Sequence, residues 1–257
     1  MSIEQTVYCR VVGEGDDLVL LHGWGVNSLV WEPVIATLSR HFRLHLIDLP
    51  GFGQSQCMEK YSLTAIVERI LLHVPERANW CGWSLGGLIA TYASYAHPQR
   101  VKKIIQVCSS PKFVEDANWS GVDRGVFESF QSSLQKNSSK TLSRFIAIQA
   151  MGCATARQDT LFLKKLLIDN WQSDENALSA GLVLLEETDL RVQFSQIKIP
   201  CLSIFGQFDS LLPQSAHLNI HQLLPNSVQQ VFENSAHAPF VSEDEKFSES
   251  IIAFLSD

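Results

Sequence analysis

Gly82-Trp83-Ser84-Leu85-Gly86-Gly87 sets one serine between two glycines, where an apolar run from Ala78 to Gly82 gives way to a run of small residues from Leu85 to Ala96. This is the pattern of a sharp strand-to-helix turn that lifts a serine hydroxyl clear of a sheet, since side chains larger than hydrogen would collide at the glycine positions. Gly-x-Ser-x-Gly also arises by chance in many chains. Its weight here comes from context: a buried strand is expected before it, and a helix packed closely on that strand after it.

A serine hydroxyl is a poor nucleophile at neutral pH, so it needs a base and a group that orients the base. Ile199 to Gly206 reads as a short apolar strand, with Asp209 in the loop at its end. Val228 to Phe232 reads as another strand, followed by a loop carrying His237 and a closing helix from Glu243 to Leu255. A loop aspartate taken alone is usually a turn former. One histidine among eight is usually structural. Asp209 and His237 stand out because each follows a strand and because the order Ser84, Asp209, His237 matches α/β-hydrolases and neither the chymotrypsin nor the subtilisin arrangement. The three are the candidate catalytic residues.

Negative charge developing on the substrate needs fixed donors. Leu18 to Leu21 reads as a buried strand running into His22-Gly23-Trp24-Gly25, a loop whose amides can turn toward the serine. The backbone amides of Trp24 and Leu85 are therefore the candidate oxyanion hole, each donor worth about 10²–10³ in rate. The alternative is that the loop merely shapes a strand end.

With 257 residues, 46% of them hydrophobic, the chain can bury one substantial core, and alternating strands and helices point to an α/β fold with a mostly parallel sheet. A net charge of −7 disfavours a nucleic-acid or anionic-membrane partner. The six cysteines lack Cys-x-x-Cys spacing and read as small buried hydrophobes, so neither a disulfide framework nor a metal site is expected. No cofactor is suggested. Met1 to Thr6 lacks a basic segment leading into an apolar core, and no apolar run reaches membrane-spanning length, so a soluble cytoplasmic protein is expected; a monomer is the expected state.

Between the strand Ile104 to Cys108 and the strand at Cys201 the pattern changes to helical periodicity, too long for an ordinary loop. The expected organisation is a hydrolase core of residues 1–110 and 190–257 with a helical lid over 111–189. Phe127, Phe130 and Leu134 share one helical face; Leu142, Phe145, Ile148 and Gln149 share another. Phe130 and Phe145 are candidates to line an apolar tunnel beneath the lid, against the plainer reading as core. From residue 136 to 165 the lid carries Lys136, Lys140, Arg144, Arg157, Lys164 and Lys165 against the single acid Asp159. This is either a solvated face or a docking patch for an acidic partner.

Beyond these single features, several stretches together resemble the carboxylesterases of bacterial biotin synthesis within the α/β-hydrolase superfamily. They are Leu20 to Gly25, Asp48 to Gly53, Gly82 to Leu88, Ser109 to Pro111, Met151-Gly152, Thr155 to Asp159, Asp189 to Arg191 and His237 to Phe240. The resemblance implies cleavage of the methyl ester of pimeloyl-acyl-carrier protein to free pimeloyl-acyl-carrier protein and methanol. It implies Ser84 as nucleophile, His237 as base, Asp209 as its orienter, and Trp24 and Leu85 as oxyanion donors. Phe145 to Gln149, with Ile148, would lie beside the acyl chain, and Arg144 and Arg157 would meet the acidic carrier. Lys140 and Leu161 stand where that family has arginines. Lysine keeps the charge but loses the planar fork, so the carrier contact is expected to be weaker or differently placed. The rival readings are a promiscuous short-chain carboxylesterase, a carbon–carbon bond hydrolase of the same fold, and a ligand receptor on a hydrolase scaffold.

Overall fold

The computed structural model describes residues 6–169 and 173–256, except for the side chains of 166–169. Of the opening stretch read above, residues 1–5 lie outside the described residues. In chain order the elements are β1 (Cys9–Val12), β2 (Asp16–Leu21), α1 (Glu32–Leu38), β3 (Phe42–Ile47), α2 (Leu63–Leu71), β4 (Ala78–Trp83), α3 (Leu85–Ala96) and β5 (Val101–Val107). There follow α4 (Arg124–Lys136), α5 (Ser138–Gln149), α6 (Ala156–Asp169), α7 (Glu175–Glu187) and α8 (Arg191–Ser195). The chain closes with β6 (Cys201–Gly206), α9 (Gln214–Leu223), β7 (Val228–Phe232), α10 (Pro239–Ser242) and α11 (Asp244–Ser256).

The seven strands lie in the order β1-β3-β2-β4-β5-β6-β7. β1 runs antiparallel to β3, and every other pairing is parallel. Parallel strands need helical crossovers on their faces, so the central ones are covered on both sides. β4 and β6 are accordingly buried at every position. After β2 the chain first turns to one side for β3 and then returns to the other side for β4. In open α/β sheets the crevice beyond the carboxyl ends of strands at such a reversal is where ligands bind. The loops at His22 and Ser84 leave the sheet at that crevice.

Two strand boundaries differ from the sequence reading for local reasons. β5 stops at Val107 because Cys108 adopts a φ of 45°, which turns the chain out of the sheet. β6 begins at Cys201, since Pro200 has no N–H to offer the ladder, although its carbonyl still accepts from Ile104 N at 3.0 Å.

The chain between β5 and α8 opens with an irregular stretch held by the bridges Val114 to Val122 and Asp116 to Trp119. Helices α4 to α7 follow. Their starts are written in the sequence as capping residues: Asp123 accepts from Gly125 N, Asn137 from Lys140 N, and Asp174 from Asn176 N and Ala177 N. α7 meets the core directly, because the Trp24 indole Nε1 donates to the Leu178 carbonyl at 2.8 Å. All six cysteines are free thiols. Among the described residues, no helix is long and apolar enough to cross a membrane.

Candidate active site

Ser84 joins β4 to α3 with φ 53° and ψ −115°, a conformation that side-chain-bearing residues avoid. The surroundings impose it. Ser84 N donates to Val107 O at 2.9 Å, Ser109 Oγ donates to Ser84 O at 2.8 Å, and a Cβ at Gly82 would overlap the Gly86 carbonyl. The turn can close this tightly only with hydrogen at position 82.

Asp209 and His237 meet at the ends of β6 and β7, with side chains fully buried. His237 Nδ1 lies 2.7 Å from Asp209 Oδ2. The other carboxylate oxygen, Oδ1, accepts from Leu211 N at 2.9 Å and Leu212 N at 3.0 Å, which fixes the plane of the acid. With a carboxylate on Nδ1, that nitrogen carries the proton and Nε2 is the free acceptor. The main chain of His237 is held twice: its N–H donates to the Gln149 carbonyl at 2.9 Å, and its carbonyl accepts from Trp83 Nε1 at 2.7 Å. Nε2 itself is buried and reaches no hydrogen-bond partner, Ser84 Oγ included. The orienting pair is thus formed, while the serine–imidazole bond is open. Such bonds tighten when substrate is in place.

Cys108 Sγ lies close to the same acid and base, the three ligand atoms falling within 4.8 Å of one another. Burial and the neighbouring Asp209 hold the Cys108 thiol well above its ordinary range, so it stays protonated beside the carboxylate. A protonated thiol and an imidazole already committed to Asp209 suit a hydrogen-bonded triad better than a metal centre.

Among the described residues, the backbone N–H groups of Trp24 and Leu85 donate to no backbone acceptor in turns or loops. Leu85 opens α3, where the first amides have no partner within the helix. The loop before Trp24 is locked by His22, which is fully buried; its Nδ1 is 2.7 Å from Gly23 O, and its Nε2 accepts from Leu49 N at 2.9 Å. Burial lowers the His22 pKa, against opposing contributions from Asp48 and the Gly23 carbonyl, so the ring stays neutral and keeps that acceptor.

Above Ser84 lies an apolar slot with a free volume of about 30 Å³, walled by Phe130 and Phe145 and also by Phe113, Phe127, Leu182, Leu185 and Leu211. Phe145 meets the Trp24 ring edge-on at 5.0 Å and the Phe130 ring at 5.6 Å. Of the other residues expected beside substrate, Ile148 lines a second cavity next to the slot, and Gln149 is buried with its carbonyl on His237 N. Leu182 and Leu185 were missed in the sequence although their spacing on α7 is helical. Phe113 and Leu211 carry no periodic signal at all.

The basic residues Lys140, Arg144 and Arg157 are exposed and join no ion pair among the described residues. Asp159, the single acid counted among them, faces inward: it is 6% exposed and accepts from Thr155 Oγ1 at 2.9 Å. Burial raises its pKa. Asp159 is therefore turned away from solvent, unlike the basic residues around it in sequence.

The strained serine and the acid–base pair are the parts a serine hydrolase requires, and the alpha/beta hydrolase fold model matches residues 17–244; the chain belongs to the α/β-hydrolase family. It is 43% identical over 248 residues to the pimeloyl-[acyl-carrier protein] methyl ester esterase of Vibrio vulnificus, covering 96% of this chain and 97% of the relative. It is 44% identical over 238 residues to the protein of the same name from Edwardsiella ictaluri, covering 93% and 92%. Among solved structures, an esterase from Exiguobacterium antarcticum superposes with a TM-score of 0.88 at 23% identity, covering 98% of this chain and 96% of that one, a likeness of fold.

Proposed function

We propose that this chain is a serine carboxylesterase that hydrolyses the methyl ester of pimeloyl-acyl-carrier protein. The observation that carries the reading is the buried His237, with Nδ1 committed to Asp209 and Nε2 left unpaired, in a protein whose strained Ser84 lines an apolar slot. The full-length likeness to esterases of that name supports the choice of substrate.

Ser84 Oγ turns toward His237 Nε2, gives up its proton and attacks the ester carbonyl. The oxyanion takes the Trp24 and Leu85 amides. Collapse of the tetrahedral species expels methoxide, which leaves as methanol with the proton from Nε2. Water then enters, His237 takes one of its protons, and hydroxide attack on the acyl-enzyme frees the carboxylate and returns the proton to Ser84. The apolar slot holds the methylene chain, and the carrier stays outside against Lys140, Arg144 and Arg157.

The test is growth of a biotin-requiring strain that lacks its own esterase, together with methanol release from the carrier-linked ester by the purified protein. Wild type is expected to restore growth. Ser84→Ala is expected to lose about 10⁶-fold in kcat and to fail in the strain while melting as wild type does. Rescue by Ser84→Ala would overturn the assignment.

A further inference from the structure

Among the described residues, two that are not glycine have a positive φ, Ser84 at 53° and Cys108 at 45°. Such backbone is costly for a residue with a Cβ, and where it persists it clusters at functional positions. Ser84 is the candidate nucleophile. Cys108 belongs to the strand end that holds it: Val107 O accepts from Ser84 N at 2.9 Å, and Ser109 Oγ donates to Ser84 O at 2.8 Å. Glycine at position 108 would carry the bend without strain. A side chain stands there instead, and it reaches toward both partners of the serine.

The thiol is fully buried at the seam between the end of β6, which leads to Asp209, and the loop after β7, which bears His237. Cys108 N donates to Ile204 O at 2.8 Å within β6, and Sγ donates to Ala236 O at 3.8 Å, one residue before His237. Sγ, an Asp209 oxygen and a His237 nitrogen fall within 4.8 Å of one another. The seam has no slack, since a Cβ at Gly206 would overlap the Ala236 carbonyl.

We propose that Cys108 is a positioning residue for the Asp209–His237 pair, its thiol setting the spacing of the acid turn and the base loop and sharing its proton between the Ala236 carbonyl and the Asp209 carboxylate. The inference rests on the triad reading above. Burial and the Asp209 charge push the thiol pKa well up, so the sulfur enters this arrangement as a neutral donor. A donor facing Asp209 takes up part of the carboxylate charge that would otherwise stabilise an imidazolium. The base therefore stays deprotonated to lower pH. Two further ionisable groups face this region. His217 on α9 feels the Asp209 charge, but burial lowers its pKa and leaves the ring neutral against Phe205 at 4.0 Å. Glu243 is tied to Asn234 N at 3.1 Å and Ser235 Oγ at 2.5 Å, at the start of the His237 loop.

The experiment measures kcat and KM on p-nitrophenyl acetate from about pH 5 to about pH 9, a range that spans histidine titration, with thermal unfolding of each preparation. Cys108→Ala is expected to lower kcat about three- to tenfold, the worth of one hydrogen bond, with KM unchanged. The acid limb of its kcat/KM profile is expected to move to higher pH by about half a unit. Cys108→Gly, which suits the bend but lacks the thiol, is expected to share both defects and serves as the readout should Cys108→Ala fail to fold. Cys108→Ser keeps a donor at the seam and is expected to regain most of the lost kcat and return the limb toward wild type. Cys201→Ala removes a buried thiol at the opposite end of β6 and is expected to lose stability with its pH profile unmoved. Wild-type kcat and limb in Cys108→Ala and Cys108→Gly, a Cys108→Ser no better than these, or an equal shift in Cys201→Ala would each overturn the positioning role while leaving the esterase reading intact. A wild type with no turnover, or with no acid limb, would overturn the triad reading itself.

Discussion

Asp209→Asn is expected to lower kcat about 10⁴-fold while leaving the fold in place. Aspartate accepts from three donors here: Leu211 N and Leu212 N on Oδ1, and His237 Nδ1 on Oδ2. Asparagine has one oxygen and one NH₂ group, and the two orientations differ sharply in cost. Turning the NH₂ toward the backbone would strand two buried amide donors at roughly 1–3 kcal/mol each. Turning it toward the imidazole loses one contact, which recovers once the ring changes tautomer. The oxygen therefore stays on the backbone side, and the NH₂ donates to Nδ1. His237 must then carry its proton on Nε2, where it cannot accept the proton of Ser84. Stability should fall by only about 1–2 kcal/mol, since all three bonds survive in neutral form. The assay is kcat on p-nitrophenyl acetate beside thermal unfolding of the same preparation. A folded variant that keeps more than a tenth of wild-type kcat would refute the orienting role of Asp209 and the tautomer argument with it.

Charge reversal at Arg144 and Arg157 to glutamate should lower kcat/KM on the carrier-linked ester about tenfold, at roughly 0.2–1 kcal/mol for each exposed pair lost, and far more than on a short free ester. Equal losses on the two substrates would remove the docking role of this face. The neutral, buried His22 makes stability depend on acid. Its folded pKa lies below the ordinary histidine value, so the unfolded chain binds the proton first; the contribution is whole above about 6.5 and is lost as pH falls through the depressed folded value. The difference in melting temperature between wild type and His22→Gln should therefore shrink from pH 7 toward pH 5, and a constant gap would show that the Leu49 N–H bond to the ring is not what the proton breaks.

The parts of the site that could be read from the sequence are those fixed by backbone geometry. The elbow at Ser84 needs hydrogen at position 82, and that need is visible as a glycine. Asp209 and His237 follow strands whose apolar runs are legible, so the order of elements places them. The inserted helices were legible through the repeats Phe127, Phe130, Leu134 and Leu142, Phe145, Ile148, which fall on α4 and α5. The slot was only half legible, because Phe113, Leu185 and Leu211 come from three distant segments and meet only once the chain is folded. His22 was read only as part of the loop that carries a candidate oxyanion donor, with strand-end shaping as the alternative. Its hydrogen bond to Leu49 N joins two loops separated by a strand, a contact that no local pattern encodes.

The junction of Trp24 with α7 ties catalysis to cover. Its indole hangs from the Leu178 carbonyl, its ring presses on the bare backbone of Gly181, and its own amide is one of the two proposed oxyanion donors. Any displacement of α7 would therefore be felt at once in the loop that carries the Trp24 amide. The position of that amide is thus set by a helix 154 residues further along the chain, and not by its own loop alone.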